Sequence, residues 1–377
     1  MKISSVDTYC LRAALSQPFG FSQWTFTHRE SMLVRIQTDD GLEGWGEAFG
    51  PAKLSAAAVR DCLAPLVLGR HPCASEAIWE YLYARTLDQG QKGAVLCGIS
   101  AIDIALWDIK AKAAGLPLYR LLGGEETTSI PCYATGFYFG GQEPLEERFA
   151  REAREHLGAG FRAMKMKVGL GIQRDAELVA AVREAIGSGA RLMIDANHAY
   201  NTTQALALGR LVERHNIHWF EEPVSPLDVE GYLELKMRLP IPLAGGECEF
   251  TRFGFEPWLR RRALDYAQPD LCACGGISEG IKIATVASLY GVHVTPHAWG
   301  TAIGQAAALH FYAARPRHPS TLTKEDKLIE CDLTESPFRN TIATKPLRLQ
   351  NGCWHLSQVP GLGIEVDPAA IERFRWE

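Results

Sequence analysis

From about residue 129 onward, short apolar runs alternate with longer amphipathic segments. This alternation predicts repeated strand–helix units around a parallel sheet, because buried parallel strands are continuously apolar and need helical crossovers between them. Eight runs are candidate strands, and their sequences are SIPCYATGF, AMKMKV, RLMIDA, HWFEEP, PLAGGE, YAQPD, HVTPHA and KLIECD. Eight such units predict an α/β fold of the TIM-type, or modified (β/α), barrel class.

The residues before this region have a different pattern. Two extended runs flank Asp40-Gly41, a pair that favours a hairpin turn because glycine tolerates positive φ. The segment SAIDIALWDIKAKAAGLPLYRLLGG then has apolar residues at helical spacing, and Gly115 and Pro117 predict its end. We expect residues 1–125 to form an α+β capping domain.

The last residues return to strand-and-turn character around Asn351-Gly352. We expect this segment to pack back on the capping domain instead of extending the barrel. The predicted organisation is therefore a capping domain at 1–125, a catalytic barrel at 126–340 and a C-terminal segment at 341–377.

Composition narrows the class of partner. The chain has 377 residues, 47% hydrophobic and 22% charged, with a formal net charge of −5. Without a basic excess, binding to nucleic acid or to an anionic membrane is disfavoured, and a small-molecule partner is expected. Neither a signal peptide nor a long apolar span is recognisable, and the ten cysteines are scattered, so we expect a cytoplasmic protein with reduced thiols.

Charged residues end most of the candidate strands. They are Asp195, Glu221, Glu247, Asp270, His297 and Glu330. The first five lie 23 to 27 residues apart, about the length of one strand, one loop and one helix. They should therefore converge on the C-terminal mouth of the barrel, where active sites of this architecture lie.

Three of these residues are candidate metal ligands. Asp195, Glu221 and Glu247 supply the hard oxygen donors that Mg²⁺ prefers. A single strand-ending carboxylate is commonly a helix cap or a surface ion-pair partner. Three at regular spacing on consecutive strands favour a Mg²⁺ site over that simpler interpretation.

Two lysines interrupt the second candidate strand. Lys165 and Lys167 alternate with Met164 and Met166 in AMKMKV, so the lysines share one face. In a barrel, one of the two faces points inward. The lysines suit the interior near the mouth better than an outer surface.

The chain resembles the enolase superfamily, and specifically its mandelate racemase subgroup. The resemblance covers essentially the whole chain and is carried by KMK, DANHAY, FEEP, GGECEF, QPDLCACGGISE, TPHAWG and LIECD, in that order. It implies that a divalent metal binds a substrate carboxylate, that a base removes the α-proton and that the metal stabilises the enediolate. Such enzymes are commonly homo-oligomers.

The resemblance also implies residue roles. Lys165 would neutralise the carboxylate, and Lys167, with a pKa lowered toward neutrality, would be the base on one face. His297, oriented by Asp270, would be the second acid/base group. Glu330 would stay protonated and hydrogen-bond the enediolate oxygen.

Further residues are candidates for substrate contact. Asn197 matches a position that contacts a substrate hydroxyl or a metal-side oxygen, although an Asx turn explains it equally well. The segment at 17–30 is the expected specificity loop. The remaining candidates from that loop and from the mouth are Trp24, His28, Arg29, His198 and Trp299.

Several activities use this residue set. If the β-carbon bears a hydroxyl, its departure gives a 2-keto-3-deoxy acid; otherwise reprotonation on the opposite face gives an epimer or enantiomer. The subgroup implies dehydration of a sugar acid as the main expectation, with racemisation of an α-hydroxy acid as the alternative and an inactive metal-binding scaffold as a third. Cycloisomerases are expected to carry a lysine where this chain has Asp270.

Overall fold

The computed structural model describes residues 1–125, 129–315 and 327–376. Three antiparallel strands open the chain in the order β1 (Ile3–Gly20), β2 (Thr25–Thr38) and β3 (Glu43–Ala48). The predicted turn joins β2 to β3, with Gly41 at φ 89°. The helices that follow are α1 (Ala52–Ala57), a π-helical turn (Ala58–Leu63), α2 (Ala64–Val67), α3 (Ser75–Thr86), α4 (Ala94–Ala113) and α5 (Leu118–Leu121).

The eight predicted barrel strands are all present. They are β4 (Ser129–Gly136), β5 (Ala163–Lys167), β6 (Arg191–Asp195), β7 (Ile217–Glu221), β8 (Leu243–Gly245), β9 (Tyr266–Ala267), β10 (His293–Val294) and β11 (Ile329–Asp332). Strands β4 to β10 pair in parallel in chain order, and β11 pairs in parallel with β4. Between β10 and β11, Thr295 Oγ1 donates to Leu328 O (2.9 Å) and Ala298 N donates to Glu330 Oε2 (3.0 Å). The TIM-type barrel prediction is confirmed.

One helix follows each of the first seven barrel strands. They are α6 (Leu145–Gly158), α7 (Ile172–Ile186), α8 (Thr202–Val212, with a 3₁₀ turn at Glu213–His215), α9 (Val229–Arg238), α10 (Thr251–Arg260), α11 (Gly276–Leu289) and α12 (Ala302–Ala314). Met164 and Met166 belong to the hydrophobic core that also contains the inner faces of these helices. No helix in the described ranges is long and apolar enough to cross a lipid bilayer.

The inner face of the barrel changes from apolar to polar along the strands. Near the strand starts, its interior is filled by Tyr133, Ala163, Met193, Trp219, Ala244 and Tyr266. Because side chains two residues apart share a strand face, the next inward layer contains Thr135, Lys165, Asp195, Glu221 and Gln268. An apolar plug thus supports a layer of polar groups at the mouth.

The capping domain is anchored to the barrel by buried polar contacts. Glu47 of β3 accepts hydrogen bonds from Ser31 Oγ (2.8 Å), Thr301 Oγ1 (2.6 Å) and Gly304 N (2.8 Å), so it caps the start of α12. Asp103 of α4 accepts bonds from Ser278 N (2.9 Å) and Ser278 Oγ (2.6 Å) on α11. Both acidic groups satisfy helix N-termini that would otherwise be buried without partners.

The C-terminal residues contact both domains. Strands β12 (Arg348–Gln350) and β13 (Cys353–His355) form a hairpin around Asn351-Gly352, and β13 pairs antiparallel with β4 of the barrel. Helix α13 (Pro368–Phe374) packs near β1, and Trp376 N donates to Cys10 O (2.8 Å). The expected packing on the capping domain thus applies to the final helix, whereas the hairpin extends the barrel sheet. The predicted boundary at residue 126 lies outside the described residues.

Candidate functional site

Three carboxylates lie together at the barrel mouth. Asp195 ends β6, Glu221 ends β7 and Glu247 follows β8 by two residues, and one oxygen of each lies within 4.8 Å of the others. Asp195 and Glu221 are fully buried, and Gln268 Nε2 (2.7 Å) and Trp219 Nε1 (2.9 Å) donate to Glu221 Oε2. This set of three oxygen donors suits a hard divalent cation such as Mg²⁺.

Lys165 lies between carboxylates. Its Nζ donates to Glu221 Oε1 and lies 3.0 Å from Glu330 Oε1 and 3.6 Å from Asp195 Oδ2. Burial lowers the pKa of Lys165, but the negative charges of Glu221 and Glu330 outweigh burial and raise this pKa well above its ordinary value. Lys165 is therefore a cation at the mouth.

Lys167 forms an ion pair with Asp195, the last residue of β6. Its Nζ donates to Asp195 Oδ2 (2.6 Å) and to Asn197 Oδ1 (2.9 Å). Burial lowers the pKa of Lys167, but Asp195 outweighs it and raises this pKa above the ordinary value. Asp195 therefore dominates the pKa of this lysine in the arrangement described, and the lowered pKa expected beside bound Mg²⁺ stays a prediction.

His297 and Asp270 form the predicted pair. His297 Nδ1 lies 2.6 Å from Asp270 Oδ2, and Asp270 Oδ1 accepts from Cys272 N (2.7 Å), which fixes the carboxylate plane. The second ring nitrogen, Nε2, lies 3.5 Å from Glu247 Oε2. Burial lowers the pKa of His297, but Glu247, Glu330 and Asp270 together raise it to about 10, so the imidazolium is the resting form at neutral pH.

The Glu330 carboxylate accepts hydrogen bonds from a side-chain hydroxyl and from a backbone amide. Thr135 Oγ1 donates to its Oε1 (2.6 Å), and Ala298 N donates to its Oε2 (3.0 Å). Burial raises the pKa of Glu330, but the charges of Lys165 and His297 and these hydrogen bonds hold the pKa far below its ordinary value. The expected protonated state is therefore not found here, because two cations face this carboxylate.

The tip of the predicted specificity loop, residues 21–24 between β1 and β2, lies over these residues, whereas its flanks at 17–20 and 25–30 are strand. Ser22 Oγ donates to Ala196 O (2.7 Å), next to Asp195, and the Phe21 ring centroid lies 5.8 Å from Lys167 Nζ. A cavity of about 400 Å³ adjoins the site at Asp270 and His297, and its wall includes Trp24, His28, Arg29 and Trp299. The loop, Asp270 and His297 thus border one cavity.

These four residues of the cavity wall differ in their exposure and in their contacts with the rest of the protein. Trp24 is 65% exposed, and His28 Nε2 lies 2.8 Å from Glu30 Oε1. Arg29 is buried, pairs with Asp332 (3.4 Å), donates to Thr334 Oγ1 (2.8 Å) and stacks on Trp299. Because its guanidinium already has these partners within the protein, contact of Arg29 with a substrate carboxylate stays a prediction.

Two residues adjacent to the predicted ligands are not among the predicted site residues. Cys248 follows Glu247, and Glu222 follows Glu221; together with His198 they bring ligand atoms within 4.8 Å of one another. Burial and the nearby carboxylates Glu247 and Asp195 raise the pKa of Glu222 well above its ordinary value. The motifs FEEP and GGECEF contained both residues, but spacing alone does not distinguish adjacent positions.

The barrel, its capping domain and the charged mouth define an enzyme of the enolase superfamily. The chain belongs to the mandelate racemase/muconate lactonizing enzyme family: residues 4–123 match the model of its N-terminal domain, and residues 148–370 match the enolase C-terminal domain-like model. The resemblance stated from the motifs is thereby confirmed.

Named relatives are similar along the full length. The chain is 44% identical to D-galactarolactone cycloisomerase of Agrobacterium fabrum (strain C58), covering 100% of this chain and 99% of the relative. It is 33% identical to arabinonate dehydratase of Saccharolobus solfataricus, covering 92% and 91%.

A solved structure shows the same fold. The 3,6-anhydro-D-galactonate cycloisomerase from Zobellia galactanivorans is 40% identical, with a TM-score of 0.90 and full coverage of both chains. Two of these similar proteins are named cycloisomerases, and the expectation that such enzymes carry a lysine at the position of Asp270 stays a prediction.

Proposed function

We propose that this protein is a Mg²⁺-dependent lyase that removes the proton α to the carboxylate of an acid sugar and expels the β-hydroxyl as water. The product would be a 2-keto-3-deoxy acid. The observation that carries the proposal is the presence of two nitrogen acid/base groups, Lys167 and His297, around one cluster of carboxylates at the barrel mouth. The dehydratase among the named relatives supports the reaction type.

The carboxylate cluster would hold the metal. Asp195, Glu221 and Glu247 are its ligands in this proposal, and the all-oxygen donor set fits Mg²⁺. When bound, Mg²⁺ supplies positive charge that offsets Asp195 and Glu221 and stabilises the negative charge developing on the substrate carboxylate. Lys165 adds a fixed cation for that charge, since it is fully buried at the same mouth.

Lys167 and His297 would divide the proton transfers. Lys167 Nζ takes the α-proton once its amine is neutral, and Asn197 Oδ1 holds the amine in place. His297 has a pKa of about 10, so its imidazolium is ready to give a proton to the departing β-oxygen. The same proton given to the α-carbon would produce an epimer, so the substrate's leaving group decides between dehydration and epimerisation.

A second candidate uses the same residues on a cyclic substrate. If the β-oxygen is part of a lactone or anhydro ring, its expulsion opens the ring and the product keeps every atom of the substrate. Water is then not released, and the reaction is an isomerisation. Similarity of 44% and 40% to two proteins named cycloisomerases, over the whole chain, favours this candidate specifically.

Proton NMR in D₂O with Mg²⁺ tests both candidates. The panel contains aldonates, aldarates, their lactones and anhydro derivatives, and mandelate. A lost α-proton signal with a new monodeuterated methylene supports elimination, and whether the acyclic or the cyclic substrate reacts chooses between the two. An epimer with an intact skeleton would establish racemisation instead, and a complete lack of exchange would support the inactive scaffold.

Variants assign the bases. Lys167→Ala and His297→Asn should each lower turnover by roughly 10²-fold or more, the usual contribution of a general acid or base. Lys236→Ala and His215→Asn are matched controls, since Lys236 pairs with Asp265 and His215 precedes β7, both at the opposite end of the barrel. Wild-type exchange in the Lys167→Ala, His297→Asn double variant would contradict the assignment.

A further inference from the structure

A second set of ligand atoms lies beside the carboxylate cluster. His198, Glu222 and Cys248 place an imidazole nitrogen, a carboxylate oxygen and a thiol sulfur within 4.8 Å of one another. Glu222 and Cys248 each follow a member of the first cluster directly, and His198 follows Asp195 by three residues. The same three strand ends therefore supply two separate groups of donors.

The Glu222 side chain lacks the partners that a buried carboxylate needs. It is 1% exposed, neither Oε1 nor Oε2 makes a hydrogen bond of normal geometry in the described part of the chain, and the donor that faces them is the Cys248 thiol of the same cluster. A buried carboxylate without a hydrogen bond or a cation is strongly unfavourable. Such a group is stabilised either by a proton or by a cation, and the imidazole and thiol beside it supply the further donors that a cation needs.

The backbone fixes two of the three donors relative to each other. His198 N donates to Glu222 O (2.7 Å), so the two loops are joined directly. Both residues have positive φ, 53° for His198 and 40° for Glu222, which is uncommon for residues other than glycine. The hydrogen bond and these backbone conformations thus fix the positions of His198 and Glu222 relative to each other.

We propose that His198, Glu222 and Cys248 bind a borderline-soft divalent transition-metal ion of the zinc class. Sulfur and imidazole ligands select such ions, whereas three carboxylates select Mg²⁺. Three protein ligands leave a fourth tetrahedral position for water. The ion would join the loops that carry Asp195, Glu221 and Glu247, and this site stands independently of the reaction proposed above.

Cobalt substitution tests this site with a readout separate from turnover. The full-length protein is stripped with a chelator, saturated with Mg²⁺ and titrated with Co²⁺ while the near-ultraviolet and visible absorption is recorded. We expect a thiolate-to-cobalt charge-transfer band that saturates at one Co²⁺ per chain and disappears when Zn²⁺ is added. Cys248→Ser should abolish the band, and His198→Gln should weaken Co²⁺ binding by more than about tenfold, since loss even of an outer partner costs that much.

Two control variants make the result specific. Cys62→Ser removes an exposed cysteine and should leave the band unchanged, which excludes surface thiols. Asp195→Asn alters the carboxylate cluster and should also retain the band. The proposal is overturned if saturating Co²⁺ gives no thiolate band, as expected if Glu222 serves only the Mg²⁺ cluster, or if the band survives in a folded Cys248→Ser protein.

Discussion

At the scale of single residues, Asp270 orients the imidazole of His297 and fixes its tautomer. Its Oδ2 faces Nδ1 at 2.6 Å while Oδ1 is held by Cys272 N. In Asp270→Asn, the amide nitrogen would face Nδ1 and favour the wrong tautomer. We expect turnover on the substrate found by NMR to fall roughly 10²–10⁴-fold with little change in melting temperature.

The matched control is Asp265→Asn, at the other end of the same strand, where Asp265 pairs with Lys236. That variant should keep near-wild-type turnover. If both variants lose activity equally, the loss is one of folding, and the role assigned to Asp270 is incorrect.

His310 makes stability dependent on pH. This buried residue of α12 accepts from Tyr119 N through Nδ1 (3.1 Å) and donates from Nε2 to Leu362 O (3.1 Å), so it is held neutral. Burial lowers its pKa from 6.5 to about 4. Because the pKa of His310 is lower in the folded than in the unfolded chain, protonation favours unfolding. The free energy of unfolding is therefore unaffected by this group above pH 6.5 and falls by up to about 3 kcal/mol as the pH falls toward 4.

Urea unfolding between pH 8 and pH 4 measures this effect. His310→Gln should lower the free energy of unfolding at pH 8, since packing is disturbed, but should flatten its decline between pH 6.5 and pH 4. His71→Gln, on the surface, should keep the wild-type slope. An unchanged slope in His310→Gln would show that other groups cause the pH dependence.

The convergence of polar residues at the mouth could be predicted from the sequence, but the charge state of Glu330 could not. The positions of Asp195, Glu221 and Glu247 followed from the βα period, because strand ends of a barrel meet at one mouth. The pKa directions of Lys167 and Glu330 depend on which opposite charges face them at 2.6 to 4.0 Å. Spacing along the chain contains no such distances.

At the scale of elements, the glycines of β3 allow α4 to approach the capping sheet. A Cβ atom added to Gly46 would overlap the carbonyl oxygen of Ala101, and one added to Gly44 would overlap that of Ala105. Gly46→Ala should therefore separate β3 from α4. We expect a loss of at least about 1–3 kcal/mol in the free energy of unfolding, the usual cost of overpacking.

Chemical denaturation measures this loss, with Gly158→Ala as the comparison. Gly158 ends α6 and has open space around its Cα, so alanine there should be neutral or stabilising by up to about 1 kcal/mol. Equal stability of Gly46→Ala and the wild type would mean that α4 has room to move away from the sheet.

Element types were predictable, whereas some partners of the elements were not. Apolar runs and their spacing predicted the eight barrel strands, and Gly115, at φ 67°, ends the α4 region as expected. The pairing of β13 with β4 joins segments more than 200 residues apart. A hairpin has the same local sequence pattern whichever sheet edge it joins. The pairing of this hairpin with the barrel sheet could therefore not be predicted from the sequence.

At the scale of the whole molecule, the carboxylate cluster should couple stability to Mg²⁺. An ion that binds only the folded protein stabilises it by about 2.7 kcal/mol when its concentration is 100 times the dissociation constant. The melting temperature should therefore rise with Mg²⁺ and fall with a chelator. Glu221→Gln should abolish this dependence, whereas Glu230→Gln, a change to an exposed side chain on α9, should preserve it.

A melting temperature independent of Mg²⁺ in the wild-type protein would contradict the assignment of Asp195, Glu221 and Glu247 as its ligands. A dependence that survives in Glu221→Gln would place the ion elsewhere.

The position of Glu47 has a consequence for transplanting specificity between relatives. This residue belongs to the capping domain and lines the same cavity as His297, yet its oxygens are fastened to the start of α12 in the barrel. A chimera that exchanges only residues 17–30 would keep these hydrogen bonds. The capping domain would therefore keep its original orientation relative to the barrel on either side of the cavity. Recombination that preserves function should therefore cut outside the unit formed by β2, β3 and the first turn of α12.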